Sequence, residues 1–397
     1  MEDSMPSPVQ LPFEQPGPLE PPPLLRRLQA SGPIHAIRTA VGDPGWQVTG
    51  YEEVRALLDD ARLGRAHPEP GRASRTGESE LFGGPLGGFD TEQDDHRRMR
   101  SLLQPHFSPK RMRALRGRVE QLTTQLLDEL EKAGPPADLH AALALPLPIA
   151  VICELLGVPY ADREQFRAWT QETADVTDRA RSAQGLAALF TYGQQLVAHK
   201  RAAGGAEADV ISRLAATDGV SDDEAAAMGM FLLFAGHETT VTAIGKGVLW
   251  LLATPGQWQA LVADASRIDA AVEEILRGPS LGGGGIPRYA REDLEIAGVH
   301  VRAGDLVLLD TGAANHDMSV FAEPDRFDVG RPAVPHLTFG YGARYCVGAP
   351  LARIELQVVF SQLAARFPTL ELGCPVEELV FDKRTLTGGL TALPVTW

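Results

Sequence analysis

A thiol crowded by glycines is the first group in this chain placed to do chemistry. Cys346 lies in the run Phe339-Gly340-Tyr341-Gly342-Ala343-Arg344-Tyr345-Cys346-Val347-Gly348. The helical stretch Pro350-Leu351-Ala352-Arg353-Ile354-Glu355-Leu356 follows directly. Glycine has no Cβ, so such a loop bends tightly and comes close to a large flat partner. Its amides, with the start of the helix, surround the sulfur with partial positive charge, which is expected to lower the thiol pKa. The thiolate is the form that binds metal. No second cysteine or histidine stands at ligand spacing. The pattern therefore suits one axial bond to haem iron better than zinc, which usually wants four ligands. A buried structural cysteine in a Gly-rich turn is the plain alternative.

A second group is Phe234-Ala235-Gly236-His237-Glu238-Thr239-Thr240, midway along a very long helical pattern. Gly and Thr each cost up to ~1 kcal/mol relative to alanine in a helix. A threonine hydroxyl can also bond back to the carbonyl one turn earlier. Local stability is being given up here, unless this is an ordinary helix with a surface glutamate. His237 beside Glu238 would need a second histidine four residues on to hold zinc, and Val241 stands there, so His237 is read as non-ligating. A third group is Glu274-Ile275-Leu276-Arg277, an acid and an arginine on one helical face, with Arg331 further on. The fourth is a charge anomaly. The chain carries net charge −15, which argues against general nucleic-acid binding. Yet His96 to Arg118 holds seven arginines, one lysine and no acid. That segment is either a solvated helical face or a docking surface for an acidic partner.

These strings resemble the signatures of the cytochrome P-450 family. The cysteine run matches F-G-x-G-x-[HR]-x-C-x-G at every defined position, and the helix run matches [AG]-G-x-[DE]-T-[TS]. The resemblance implies haem b, with Cys346 as the axial iron ligand and Phe339, Gly340 and Gly348 framing the loop. It implies that Gly236 loosens the helix to admit dioxygen, that Thr239 offers it a hydroxyl, and that Glu238 relays protons. It assigns His96, Arg100, Arg288 and Arg344 to the haem propionates. Glu274, Arg277 and Arg331 would form a buried structural network under the cysteine loop, with no catalytic part. Phe231, Phe234, Ala235, Gly284, Gly285, Ile286 and Leu390 would line the substrate pocket. One stretch departs from the family pattern. Gly278-Pro279-Ser280-Leu281-Gly282-Gly283-Gly284-Gly285-Ile286 replaces an aromatic, a proline and a bulky residue. Its four consecutive glycines lead us to expect a roomy or adaptable pocket.

These groups need a scaffold. Apolar residues recur at helical spacing over 115–133, 146–157, 184–202, 223–253, 256–276 and 348–367. Short β-like runs occur at 47–49, 294–299 and 306–309. The expected fold class is mainly α with small β-sheets. In the P-450 fold that the resemblance implies, a long central helix lies over the haem and the cysteine loop beneath it. The Pro-rich residues 1–23 read as an extended arm, and 24–397 as a single domain. No apolar run reaches the ~18 residues of a membrane span. Three cysteines give no disulfide framework and fit a reducing cytoplasm.

The function so implied is a soluble bacterial haem-thiolate monooxygenase of the actinobacterial, secondary-metabolite tailoring kind. It would insert one oxygen atom from O₂ into a large, mostly apolar natural product, first of all a polyketide macrolide. Terpenoid or steroid hydroxylation and aromatic coupling are the alternatives within the family. No flavin or iron–sulfur motif is present. Electrons would come from a ferredoxin and an NAD(P)H-dependent reductase docking near Arg97–Arg118. Two readings lie outside this class. A haem protein that only binds ligand would have no use for the Glu238–Thr239 pair. A serine hydrolase would use Ser280 in Gly278-Pro279-Ser280-Leu281-Gly282, but that elbow needs a strand before it and a helix after.

Overall fold

The computed structural model describes residues 8–17, 19–203, 209–278, 284–332 and 335–397. Ser280, Gly282 and Gly283 lie outside them, so the hydrolase elbow and half of the glycine run are not described.

One long helix, Asp222–Ala253, organises the rest. Its start is capped: the Ser221 hydroxyl accepts from the Glu224 amide at 3.1 Å. Asp222, Asp223 and Glu224 also favour its positive end. The helix is apolar on most of its surface and is buried accordingly. Helices Pro146–Leu156, Arg179–Ala202, Ile268–Arg277 and Ala349–Arg366 pack around it. Close approach explains its glycines. A Cβ on Gly247 would stand 2.4 Å from the Phe360 ring. No helix among the described residues is long and apolar enough to cross a membrane.

Beside the helices lies a six-stranded sheet. Its order is Val9–Gln10, Ile34–Arg38, Pro44–Val48, Leu306–Leu309, Ile286–Ala290, Leu63–Gly64. Arg288 pairs with Val307, which fixes its position in the sheet. The N-terminal arm supplies the first strand, parallel to Ile34–Arg38. Leu11 and Phe13 behind it are buried.

Three of the departures from the sequence expectation show what overrode the pattern. The pattern over 256–276 is two helices, Gln257–Ala263 and Ile268–Arg277, because Asp264 turns extended and caps the Ser266 amide. The run 294–299 is not one strand. Ala297 and Gly298 both take positive φ, 48° and 82°, and make a two-residue turn that pairs Leu294–Ile296 with Val299–Val301. Helix Glu92–Leu103 carries a periodic signal in its last turn only: among EQDDHRRMRSLL just Met99, Leu102 and Leu103 are apolar. Its ends decide the matter, with Glu92, Asp94 and Asp95 in the first turn and Arg100 in the last.

Candidate active site

The cysteine loop is built by its backbone. The Cys346 amide donates to the Phe339 carbonyl at 2.8 Å, closing the loop on itself. Gly340 and Gly342 hold φ of 74° and 66°, where side chains are strained. At Gly342 a Cβ would also collide with Asp59, whose carboxylate accepts from the Ala343 amide at 2.8 Å. The thiol is exposed on one side. Burial on its other sides raises its pKa, while the Gly348 and Ala349 amides pull it down. The expected depression is therefore corrected. The amides are in place, but desolvation outweighs them.

Two adjacent glutamates on helix Ile268–Arg277 anchor the chain on either side of this loop, Glu274 before it and Glu273 after it. Glu274 accepts from Arg277 at 2.7 and 2.9 Å and from Arg331 Nε at 3.1 Å. Arg277 donates on to the carbonyls of Asn315 and Pro324, and Arg331 to those of Ala322, Glu323 and Arg326. The sequence reading missed Glu273. It accepts from Arg353 at 2.6 and 2.9 Å and from His336 at 3.1 Å. Burial opposes the ionised form, yet Arg353 and His336 hold Glu273 at about 2. Arg353 in turn sits 4.6 Å over the Phe339 ring.

Cations gather at one end of the cavity. Arg344 donates to Glu92 at 2.7 Å, and Arg100 to the Tyr345 carbonyl at 2.8 Å. Arg288 is buried, and its hydrogen bond goes to the Pro287 carbonyl at 2.9 Å. Burial, then Arg344 and Arg65, bring Arg288 down to about 9. Burial, then Arg344 and Arg100, bring His96 down to about 4. Arg65 and Glu92 were not singled out from sequence. Glu92 accepts from the amides of Arg65 and Ala66 as well as from Arg344, and is the cluster's carboxylate. The balance is a buried excess of positive charge. It fits a flat cofactor carrying two carboxylates, which would supply the missing anions. Arg65, His96, Arg288 and Arg344 all line the cavity.

The opposite wall belongs to the long helix. Thr239 lines the cavity, and its hydroxyl donates to the Ala235 carbonyl at 2.8 Å. Glu238 accepts from the Thr387 hydroxyl at 3.0 Å, and Thr387 accepts from Thr242 at 2.9 Å. The other Glu238 oxygen is buried without a partner. Burial, set against the Thr387 bond, raises Glu238 to about 7. His237 is buried against Thr170, away from the cavity. Gly236 lies within a continuous α-helix. It faces Ile152, where a Cβ would stand 2.9 Å away.

The cavity measures about 1960 Å³. Phe231, Gly284, Gly285 and Ile286 line it, as do Phe82 and Thr385–Gly388. Phe234, Ala235 and Leu390 do not. Phe234 is five residues before Thr239, about 140° round the helix, and stacks on Phe82 at 5.6 Å. Ala235 shares the face but offers its carbonyl to Thr239. Leu390 is buried against Gly245. Gly285 is compelled: its φ is 73°, and a Cβ would lie 2.7 Å from the Leu309 backbone. Gly284 faces open space.

The family described as Cytochrome P450 matches residues 205–375. Pentalenolactone synthase of Streptomyces exfoliatus is 42% identical over 397 residues, covering 98% of this chain and 99% of its own. Mycinamicin IV hydroxylase/epoxidase of Micromonospora griseorubida is 38% identical, covering 93% and 94%. The crystal structure of PimD, a polyene macrolide antibiotic pimaricin epoxidase, superposes with a TM-score of 0.86 at 38% identity, covering 98% and 100%. Likeness at this level over nearly the whole chain, with the cysteine loop, the charge-rich cradle and the Glu–Thr helix wall already in place, makes this chain a member of the cytochrome P450 family and a haem-dependent monooxygenase that uses O₂, a small-molecule substrate and a redox partner.

Proposed function

We propose that the chain oxygenates a large, mostly apolar natural product, a polyketide macrolide first of all, by hydroxylation or epoxidation. The observation that carries this is the cavity. At about 1960 Å³ it is roughly twice the upper end of ordinary ligand pockets, which leaves room for a porphyrin and a bulky second molecule. Gly284, which faces open space, withholds a side chain from its wall. The macrolide relatives support the class. The test is a spectral screen of macrolides, terpenoids and aromatic phenols on the purified holoenzyme. A low-spin to high-spin Soret shift with a macrolide, followed by NAD(P)H-dependent formation of an oxygenated product, is expected. A shift confined to the terpenoids or phenols would replace the class.

The cofactor in this reading is haem b. Cys346 would hold its iron, and Arg65, Arg100, Arg288, Arg344 and His96 would face its carboxylates. Bound haem supplies the activation of O₂. The chain's own part is to hold substrate, exclude water and manage protons. Thr239 presents its hydroxyl to the cavity, and Ala235 fixes that hydroxyl's direction. Burial keeps a proton on Glu238, while one of its oxygens accepts from Thr387, itself oriented by the Thr242 hydroxyl. With a value near 7, Glu238 is protonated below neutrality and can donate; above it the carboxylate cannot. Coupled product formation should therefore fall as pH rises through about 7. Glu238→Gln should lower it about 10²-fold and flatten that limb. A pH profile of product formed per NAD(P)H consumed checks this, and an unchanged limb in the variant would remove Glu238 from the relay.

We read 24–397 as one catalytic domain with 1–23 as an arm upon it, working in the cytoplasm. The electron donor is an acidic ferredoxin served by an NAD(P)H-dependent reductase. Within 97–118, Arg97, Arg98, Arg116 and Arg118 are engaged by Asp94, Glu224, Glu120 and Glu154. Arg111 holds His106. Lys110 and Arg113 are exposed and have no partner among the described residues, so they are the docking charges.

A further inference from the structure

Lys246 stands on the long helix seven residues after Thr239. Seven residues are nearly two full turns, so the two share a face about 10 Å apart along the axis. Lys246 lines the cavity with Thr239 and Thr242. No described residue pairs with it: neither a hydrogen bond nor an ion pair engages its ammonium. Burial alone lowers its pKa, to about 8, and no neighbouring charge contributes. It is still a cation at neutral pH.

Lys246 is half-buried, and an ammonium held at the cavity wall with no partner among the described residues is costly; an aliphatic side chain at this helix position would remove that cost. Such conflicts between site and scaffold tend to sit where a ligand resolves them. The cavity's other cations do not explain this one. Arg65, Arg288 and Arg344 act on one another and on Glu92, and Lys246 is not among the charges felt by Arg288. The cofactor's two carboxylates are matched by that cluster. The anion that Lys246 lacks must come with the other molecule in the cavity.

We propose that Lys246 binds a carboxylate on the substrate, so that the enzyme takes an organic acid in preference to its neutral ester. This rests on the monooxygenase reading above and narrows its substrate class. Thr242, one turn before Lys246, ties the 385–388 segment to the same wall through Thr387. The acid end would then sit about two helical turns from Thr239. Oxidation would fall on a carbon remote from the carboxyl group.

The test is equilibrium binding to the purified holoenzyme of dodecanoic acid against methyl dodecanoate, and of abietic acid against methyl abietate. The proteins are wild type, Lys246→Met and Lys246→Arg. A charge-assisted hydrogen bond corresponds to about tenfold to a hundredfold in affinity, so the wild type should prefer each acid by at least about tenfold. Lys246→Met should abolish the preference and Lys246→Arg should keep it. Lys246→Met removes a charge that no described residue partners, so its carbon monoxide difference band should match the wild type's in position and amplitude. Equal binding of acid and ester by the wild type overturns the proposal, as does an acid preference that survives Lys246→Met. A wild type with no such band overturns the haem reading itself, and this proposal with it.

Discussion

Cys346→Ser should abolish the long-wavelength carbon monoxide difference band and cut product formation about a thousandfold, a loss of roughly 4 kcal/mol of transition-state stabilisation. The reason lies in the ligand atom. A thiolate donates electron density to the iron and favours O–O cleavage, which a serine oxygen does far less well. The loop itself should survive the change. Its closure uses the Cys346 amide on the Phe339 carbonyl and the left-handed Gly340 and Gly342, none of which involves sulfur. Far-ultraviolet circular dichroism should therefore be unchanged, which separates loss of the ligand from loss of the fold. A variant that kept the band would end the assignment of Cys346 as iron ligand.

Glu274→Ala should be nearly as damaging, though Glu274 does not line the cavity. Its carboxylate is about 2% exposed and meets Arg277, about 3% exposed, and Arg331. Removing it leaves a buried guanidinium without a counter-charge, a loss of about 3–5 kcal/mol. The cysteine loop should then loosen and haem retention should drop. Replacing both members tests the cause. Glu274→Ala with Arg277→Met leaves no orphaned charge in that pair, so it should unfold at a higher temperature than Glu274→Ala alone. Thermal unfolding of the two holoproteins, followed at the Soret band, measures the difference. A single variant within about 1 kcal/mol of the wild type would show that the pair carries little.

The parts of the site that were legible in the sequence are those whose signal is local. The cysteine run, the Glu238–Thr239 pair and Glu274-Ile275-Leu276-Arg277 each lie within ten residues, so spacing alone displays the chemistry. Arg65, Glu92 and Glu273 act through partners far off in the chain. Glu92 meets Arg344 across 252 positions, and Glu273 meets Arg353 across 80. No window of sequence holds both members. Lys246 was passed over for a different reason: one charge in an apolar helix carries no pattern. Its meaning comes from facing a cavity with no charged partner among the described residues. Phe234 was misplaced by an angle, since five residues do not return to the same helical face. The long helix was placed to within a residue at its start because the acids Asp222, Asp223 and Glu224 mark that end and Pro255 follows its other end. The hairpin at 294–301 read as one strand because Ala297, unlike glycine, does not announce a positive φ.

The neighbouring glutamates on helix Ile268–Arg277 bear on how this enzyme could be recombined with its relatives. Glu274 grips a segment reaching from Asn315 to Arg331, while Glu273 grips Arg353 on the helix after the cysteine. A chimera with its crossover between 277 and 315 would take the two jaws of the first clamp from different parents. One crossing between 332 and 353 would do the same to the second. Blocks exchanged to alter selectivity are best drawn from before residue 268, where the cavity wall can change hands without parting either grip.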